Sequence, residues 1–174
     1  MMMNMLGSAG LSMVTDRLRV ADEDNPRGYF ELEQVKDLDK AGDKSWLGEH
    51  RGKVIKVISF LLLDLPDDYH YKVIFMLRDL DEVVASQNKM LVRRGEDPAA
   101  TTDEKMKDNY RFHLRKVGYM IEEQPNFDLL KVDYRQTLDD PAAVAERVRR
   151  FVGLPLDVTA MAQAVDSRLY RNRK

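Results

Sequence analysis

An arginine and a serine eight positions apart, Arg78 and Ser86, are the pair whose types and spacing best suit chemistry. Arg78 stands at the exit of the apolar run Tyr71–Leu77, and Ser86 falls about two helical turns into the segment that follows. A guanidinium offers forked donors matched to phosphate oxygens, and a serine hydroxyl adds one more. The plainer alternative is that Arg78 pairs with Asp79 or Asp81 and that Ser86 is a small helix residue. His50, His70 and His113 are scattered without metal-ligand spacing, so no metal is expected, and His113 falls on the polar side of its segment as a surface residue. The tail Arg168–Lys174 holds four cations in seven residues and reads first as a solvated basic patch.

Such side chains need a scaffold to aim them. Three short runs, Lys53–Ser59, Tyr71–Leu77 and Phe127–Val132, are rich in β-branched and apolar residues, and a weaker one covers Leu11–Val14. Continuous apolarity suits strands covered on both faces, as in a parallel sheet. Helical spacing runs over Leu80–Arg93 and Asp103–Glu123. Asp140-Pro141 then opens a third helix that Gly153 closes, and Asp157 caps a fourth ending near Val165. The loop Gly95–Thr102 is turn-rich. Strands alternating with helices predict an α/β fold, a mainly parallel sheet flanked by helices in one domain over residues 1–174. In such sheets ligands collect at the carboxyl ends of the strands, where Arg78 is expected.

Composition removes several classes of function. The 174 residues contain no cysteine, which excludes disulfides, cysteine–zinc sites, Fe–S clusters and a thiol nucleophile. A net charge of −2 gives no overall nucleic-acid footprint, so an anionic ligand needs a local site. The apolar start Met1–Leu6 lacks a basic flank and is too short for a signal peptide, and no run suits a membrane span. It reads as a buried helix, and a cytoplasmic location is the default expectation. A nucleotide kinase would need a Walker Gly-Lys-Ser/Thr sequence, which is absent.

The run from strand into Arg78-Asp79-Leu80-Asp81-Glu82-Val83-Val84-Ala85-Ser86 resembles the signature strand–Arg-x-x-x-(Asp/Glu)-x-x-x-Ser of sulfotransferases that use 3′-phosphoadenosine 5′-phosphosulfate (PAPS). In that family the arginine and serine hold the donor's 3′-phosphate. Downstream, Asp133-Tyr134-Arg135-Gln136-Thr137-Leu138-Asp139-Asp140-Pro141, with the later Phe151-Val152-Gly153-Leu154, is similar to the family's strand, Tyr-Glu-Asp-Leu, x-x-Pro, helix, Phe-Leu-Gly segment. That segment speaks for fold more than for chemistry. The resemblance covers nearly the whole chain, is nearest to compact bacterial members, and implies a P-loop NTPase-like sulfotransferase fold. It implies PAPS as cosubstrate and transfer of a sulfuryl group to an acceptor hydroxyl or amine of a small molecule, glycan or peptide. It also implies roles for four further residues. Glu31, after Asn25-Pro26-Arg27-Gly28-Tyr29-Phe30, becomes a candidate general base, a role that burial of the carboxylate favours; the plainer reading leaves Glu31 and Glu33 solvated. Lys56 falls where cytosolic members carry Lys-Thr-His, but here the triplet is Lys56-Val57-Ile58, without that histidine; the plainer reading turns Lys56 to solvent. Arg171 and Arg173 become candidate cations for the 3′-phosphate.

One family part is not in the chain. A glycine-rich loop that cradles the 5′-phosphosulfate is expected between a first strand and a first helix. Met1–Leu6 instead fits the helix just past such a loop, and Gly7-Ser8-Ala9-Gly10 its end. The expectation is a sheet short of its first strand, unpaired edges that invite self-association, and weak or absent activity for the chain as written. The rival expectation is a non-catalytic α/β binding or interaction domain that keeps the scaffold only.

Overall fold

Helix begins almost at once, because Met2, Met5 and Leu6 recur at the spacing that puts them on one face. The computed structural model describes residues 1–16, 18–19, 28–40 and 42–166. In chain order its elements are α1 (Met2–Ser8), α2 (Glu33–Lys36), β1 (Tyr71–Leu77), α3 (Leu80–Arg93), α4 (Asp103–Glu122), β2 (Phe127–Asp133), α5 (Tyr134–Asp139), α6 (Pro141–Val152) and α7 (Val158–Gln163), with short 3-10 turns at Ser45–His50, Ser59–Asp64 and Pro98–Ala100.

β1 and β2 pair in parallel, in register from Tyr71↔Phe127 to Leu77↔Asp133. A parallel pair needs a long crossover, which α3 and α4 provide. Each face of the pair carries its own core. Ile74, Met76, Leu130 and Val132 pack with Met5 of α1, Val144 and Val148 of α6 and Met161 of α7. Val73, Phe75, Phe127 and Leu129 pack against Val117 and Ile121 of α4 and against Leu62. A third cluster, Val35, Leu38, Leu47 and Leu61, joins α2 to the 3-10 turns. The mixed architecture, a parallel sheet flanked by helices, is the α/β class the periodicity predicts.

The helix ends follow the cap residues. Asp140 accepts from the Ala143 amide at 3.0 Å with Pro141 in the first turn, and Gly153 closes α6 at φ 77°, a conformation costly for other residues. Asp157 caps α7 through Ala160 at 2.9 Å. Glu146 on α6 is pulled down to about 2 by the guanidinium of Arg149 and then by that of Arg150.

Two expected strands do not form. The run 53–59 and the weaker Leu11–Val14 meet at a single parallel bridge, Met13↔Val54, with Val14 N–H to Val54 O at 2.8 Å and Val54 N–H to Ser12 O at 2.9 Å. Among the described residues the sheet contains β1 and β2 alone. Beyond the bridge residues 55–58 form no regular element, Ile58 is extended, and the chain then tightens into the turn Ser59–Asp64, which buries Leu61 and Leu62. The apolar content of 53–59 is used as predicted, with Ile55 and Val57 packed against the core, but packing without a partner strand gives no ladder. Among the described residues no helix is long and apolar enough to cross a membrane.

Candidate functional site

The register of the sheet decides what meets at its carboxyl end. Leu77 lies opposite Asp133, so the next residues, Arg78 and Tyr134, leave the two strands side by side. The Arg78 guanidinium carbon sits 5.0 Å from the centre of the Tyr134 ring, within cation–π range. Its Nε donates to Oε2 of Glu82 at 3.0 Å. Glu82 is only 6% exposed, whereas the Arg78 side chain keeps 28%. A carboxylate that buried needs charged or hydrogen-bonding partners, and the Arg78 guanidinium beside it is one. Burial pushes the Tyr134 hydroxyl above its ordinary value, against the opposing pull of Arg78.

The N-terminus of α3 is fixed by its own residues. Asp79 accepts from the amides of Asp81 at 2.9 Å and Glu82 at 3.2 Å, the pattern expected of an N-cap. Asp81 is held by Lys107 of α4 at 2.9 Å. Glu104 also contacts Lys107, and the two carboxylates, Glu104 first, push its ammonium up to about 12. Asn88 Nδ2 donates to Asp103 Oδ1 at 2.9 Å further along. On an α-helix, residues four apart share a face, so half-buried Ser86 lies one turn beyond Glu82 on the same side. Arg78, Glu82 and Ser86 thus form one stripe at spacing four, with Arg78 just outside the helix.

A second charged cluster is built from loops. Phe30 adopts φ 51°, rare for a bulky residue, just after Gly28 at φ 85°. This turn directs the Glu31 carbonyl to the Thr15 hydroxyl at 3.0 Å and to the Asp16 amide at 3.2 Å. The Glu31 carboxylate meets Lys56 at 3.3 Å, Arg19 at 3.4 Å and Lys36 at 3.7 Å. Lys56 also donates to Tyr29 O at 3.0 Å.

Four of the six candidate residues can therefore be placed. Arg78 and Ser86 belong to the strand-end stripe, and Glu31 and Lys56 contact each other. Arg171 and Arg173 lie outside the described residues. Arg78 pairs with Glu82, not with Asp79 or Asp81, because one of these caps the helix and the other is taken by Lys107. Lys56 is held by Glu31 and Tyr29, not turned free to solvent. His113 is a correction. Its Nε2 lies 2.8 Å from Ser59 Oγ and its ring stacks on Phe60 at 3.7 Å, so it is a half-buried contact between α4 and the turn after 53–58. The helix wheel puts it on the polar side, but the turn Ser59–Asp64 packs there. Burial, and then Lys116, lower its pKa.

Two site residues were passed over in the sequence. Glu82 occupies the acidic position of the Arg-x-x-x-(Asp/Glu)-x-x-x-Ser pattern, and Tyr134 the position after the second strand, so both signals were present. Among the described residues no cluster of His, Cys, Asp or Glu is arranged to hold a metal. Two surface cavities, of about 450 and about 660 Å³, lie elsewhere and are lined by none of these candidates. A family model described as the sulfotransferase family matches residues 15–158. No curated protein and no solved structure matches the chain.

Proposed function

The chain belongs to the sulfotransferase family, and from that premise we propose that the Arg78 end of the sheet holds the 3′-phosphate of PAPS. From this donor a sulfuryl group passes to an acceptor hydroxyl or amine of a small molecule, glycan or peptide. The observation that carries the reading is the seating of Arg78. Its Nε is committed to buried Glu82 and its plane rests by Tyr134, so the guanidinium is oriented before any ligand arrives. The remaining forked donors of the group suit phosphate oxygens, and the Ser86 hydroxyl one turn past Glu82 supplies another contact.

In the proposed transfer the acceptor oxygen or nitrogen forms a bond to sulfur as the bond from sulfur to the 5′-phosphate oxygen breaks. Adenosine 3′,5′-bisphosphate leaves, and the acceptor gives up a proton. Glu31 is the proposed recipient of that proton and Lys56 the cation nearest the transferring group. Both must first loosen from each other. Arg171 and Arg173 are proposed as additional cations on the 3′-phosphate, and a cytoplasmic location is proposed with them. Transfer of this kind depends on positioning and electrostatics at the moving group. The sequence carries no glycine-rich phosphate loop for that end of the donor. Arg78 and Ser86 are assigned recognition of the 3′-phosphate half of the donor.

Isothermal titration with adenosine 3′,5′-bisphosphate tests this. Binding is expected, with Arg78→Ala weaker by about 2–3 kcal/mol, roughly 30- to 150-fold, the scale of a charge-assisted contact. Ser86→Ala is expected to cost about tenfold or less. Equal affinity for adenosine 5′-monophosphate would remove the 3′-phosphate assignment. Absence of binding would leave a scaffold that no longer uses the donor. Binding without transfer to any acceptor, even with a phosphate loop supplied, would favour the non-catalytic binding domain.

A further inference from the structure

The outer face of α4 is not the polar stripe that a surface helix ordinarily presents. The inner face gives Val117 and Ile121 to the core. On the opposite side Lys105, Phe112, Lys116 and Tyr119 follow one another at helical spacing along one exposed stripe, with exposed Arg115 on its flank. Phe112 and Tyr119 are each 65% exposed. A third ring comes from the turn Ser59–Asp64. Phe60, 63% exposed, stacks on His113, the neighbour of Phe112, and widens the aromatic surface sideways.

The cations between these rings are uncommitted. Lys107 and Arg111 of the same helix are paired, the first with Asp81 and Glu104 and the second with Asp108. Lys105, Arg115 and Lys116 have no ion pair among the described residues. Positive charge set between exposed rings is the reverse of a protein–protein interface, whose centre is depleted of charge. It matches a ligand in which apolar ring faces alternate with anionic groups. An acidic oligosaccharide is such a ligand. The C–H faces of its sugar rings lie on aromatic side chains, and its carboxylate or sulfate groups take the cations. Phe112 and Tyr119 are about 10 Å apart along the helix axis, close to the advance of one disaccharide unit in an extended chain. The direction of α4 fits as well. The contact of Lys107 with Asp81 sets its second turn beside the start of α3, at the carboxyl end of the sheet. Its last turn leads into β2 at the amino end. A ligand lying along α4 thus runs from beside the Arg78 end down the outside of the molecule.

We propose that the outer face of α4 binds the non-reacting length of an acidic oligosaccharide, which narrows the acceptor to a glycan bearing carboxylate or sulfate groups. That this glycan is the acceptor rests on the sulfuryl-transfer reading. Its binding does not, and is measured without the donor.

The test is isothermal titration of the full chain with a hexasaccharide of alternating glucuronate and N-acetylglucosamine. A neutral hexasaccharide of N-acetylglucosamine and the oligonucleotide hexathymidylate serve as comparisons. The acidic saccharide should bind roughly tenfold or more tightly than either, with an affinity that falls as salt is added. Phe112→Ala and Tyr119→Ala should each weaken it roughly three- to tenfold, and Arg115→Gln with Lys116→Gln by about tenfold. Leu154→Ala, an exposed apolar residue outside the stripe, should change nothing. Unchanged urea midpoints in all these variants separate loss of the surface from loss of fold. No binding of the acidic hexasaccharide overturns the proposal. So does binding that the aromatic substitutions leave intact, which is ion exchange only. Equal affinity for hexathymidylate also overturns it, and makes the face a surface for single-stranded nucleic acid. Hexasaccharide binding by a chain that does not bind adenosine 3′,5′-bisphosphate supports this surface while removing the donor reading, so the two failures are told apart.

Discussion

The two charged clusters, Arg78–Glu82 and Glu31–Lys56, are made of similar side chains and are built in opposite ways. Arg78 and Glu82 are four residues apart, one at the end of a strand and the other in the first turn of a capped helix, and the carboxylate is 6% exposed. Glu31 and Lys56 are separated by 25 positions, both lie outside helices and strands, and their side chains are 20% and 37% exposed. The first pair is oriented by regular elements, with Arg78 set between buried Glu82 and the Tyr134 ring. The second is held by a turn at Phe30 in a left-handed conformation and is redundant, since Arg19 and Lys36 also approach Glu31. Similar charges therefore predict different sensitivities: the strand-end pair should be rigid and costly to disturb, the loop pair adaptable.

The most severe test removes Arg78. Arg78→Ala leaves the Glu82 carboxylate buried without its cation, which should cost about 3 kcal/mol of stability. The readout is the urea midpoint at constant slope. Lys56→Met should cost less than about 1 kcal/mol, because Glu31 keeps two other cations and more water. The comparison fails if Lys56→Met is as damaging as Arg78→Ala, or if Arg78→Ala leaves the midpoint unchanged. Added salt sharpens it: the Lys56 effect should vanish at high ionic strength, while the Arg78 effect persists.

A step down in size is the cap. Asp79→Ala should cost about 1 kcal/mol, since two amides at the start of α3 lose their acceptor. In the loop region Leu32 precedes α2 without a side-chain cap of its own, and the Glu33 amide is taken instead by Asp16 Oδ2 at 2.7 Å, from 17 positions away. Substituting Leu32 by alanine should therefore act through packing alone, and Leu32→Asn should stabilise α2. If Asp79→Ala proves neutral while Leu32→Asn destabilises, the contrast between a pre-set helix start and an improvised one is lost.

This difference in construction also explains what could be read from the residues beforehand. Tyr71–Leu77, Leu80–Arg93 and the helix from Pro141 to Gly153 are legible because period, cap and stop signals agree along one short stretch. The stripe Arg78, Glu82, Ser86 is legible for the same reason, as spacing four on a helix translates directly into one face. The contact of Arg78 with Tyr134 needs the strand register, which no local signal carries. The run 53–59 has the composition of a strand, but a ladder requires a neighbour, and here the neighbour supplies one bridge. The cations around Glu31 come from three separate segments, and His113 meets Ser59 across 54 positions, so neither contact leaves a periodic trace.

The smallest effect uses pH to separate the two regions. His113 on α4 clamps Ser59, the residue just past the segment that carries Lys56. Burial, and secondarily Lys116, lower its pKa in the folded chain, so the folded state binds fewer protons than the unfolded one below the ordinary histidine value of about 6.5. Its contribution to stability is therefore present in full above that value and is lost as pH falls through the lowered folded pKa. Protonation also removes the ring nitrogen's ability to accept from the serine hydroxyl. On acidification, amides at 56–59 should thus exchange faster, once the intrinsic rate is corrected for, while those at 82–86 hold, because α3 is fixed by Asp79 and Lys107 and not by a histidine. His113→Gln should flatten the response at 56–59 and leave 82–86 untouched. Equal loosening of both regions would mean that they form one cooperative unit, and the distinction between a rigid strand-end site and an adaptable loop site would have no dynamic counterpart.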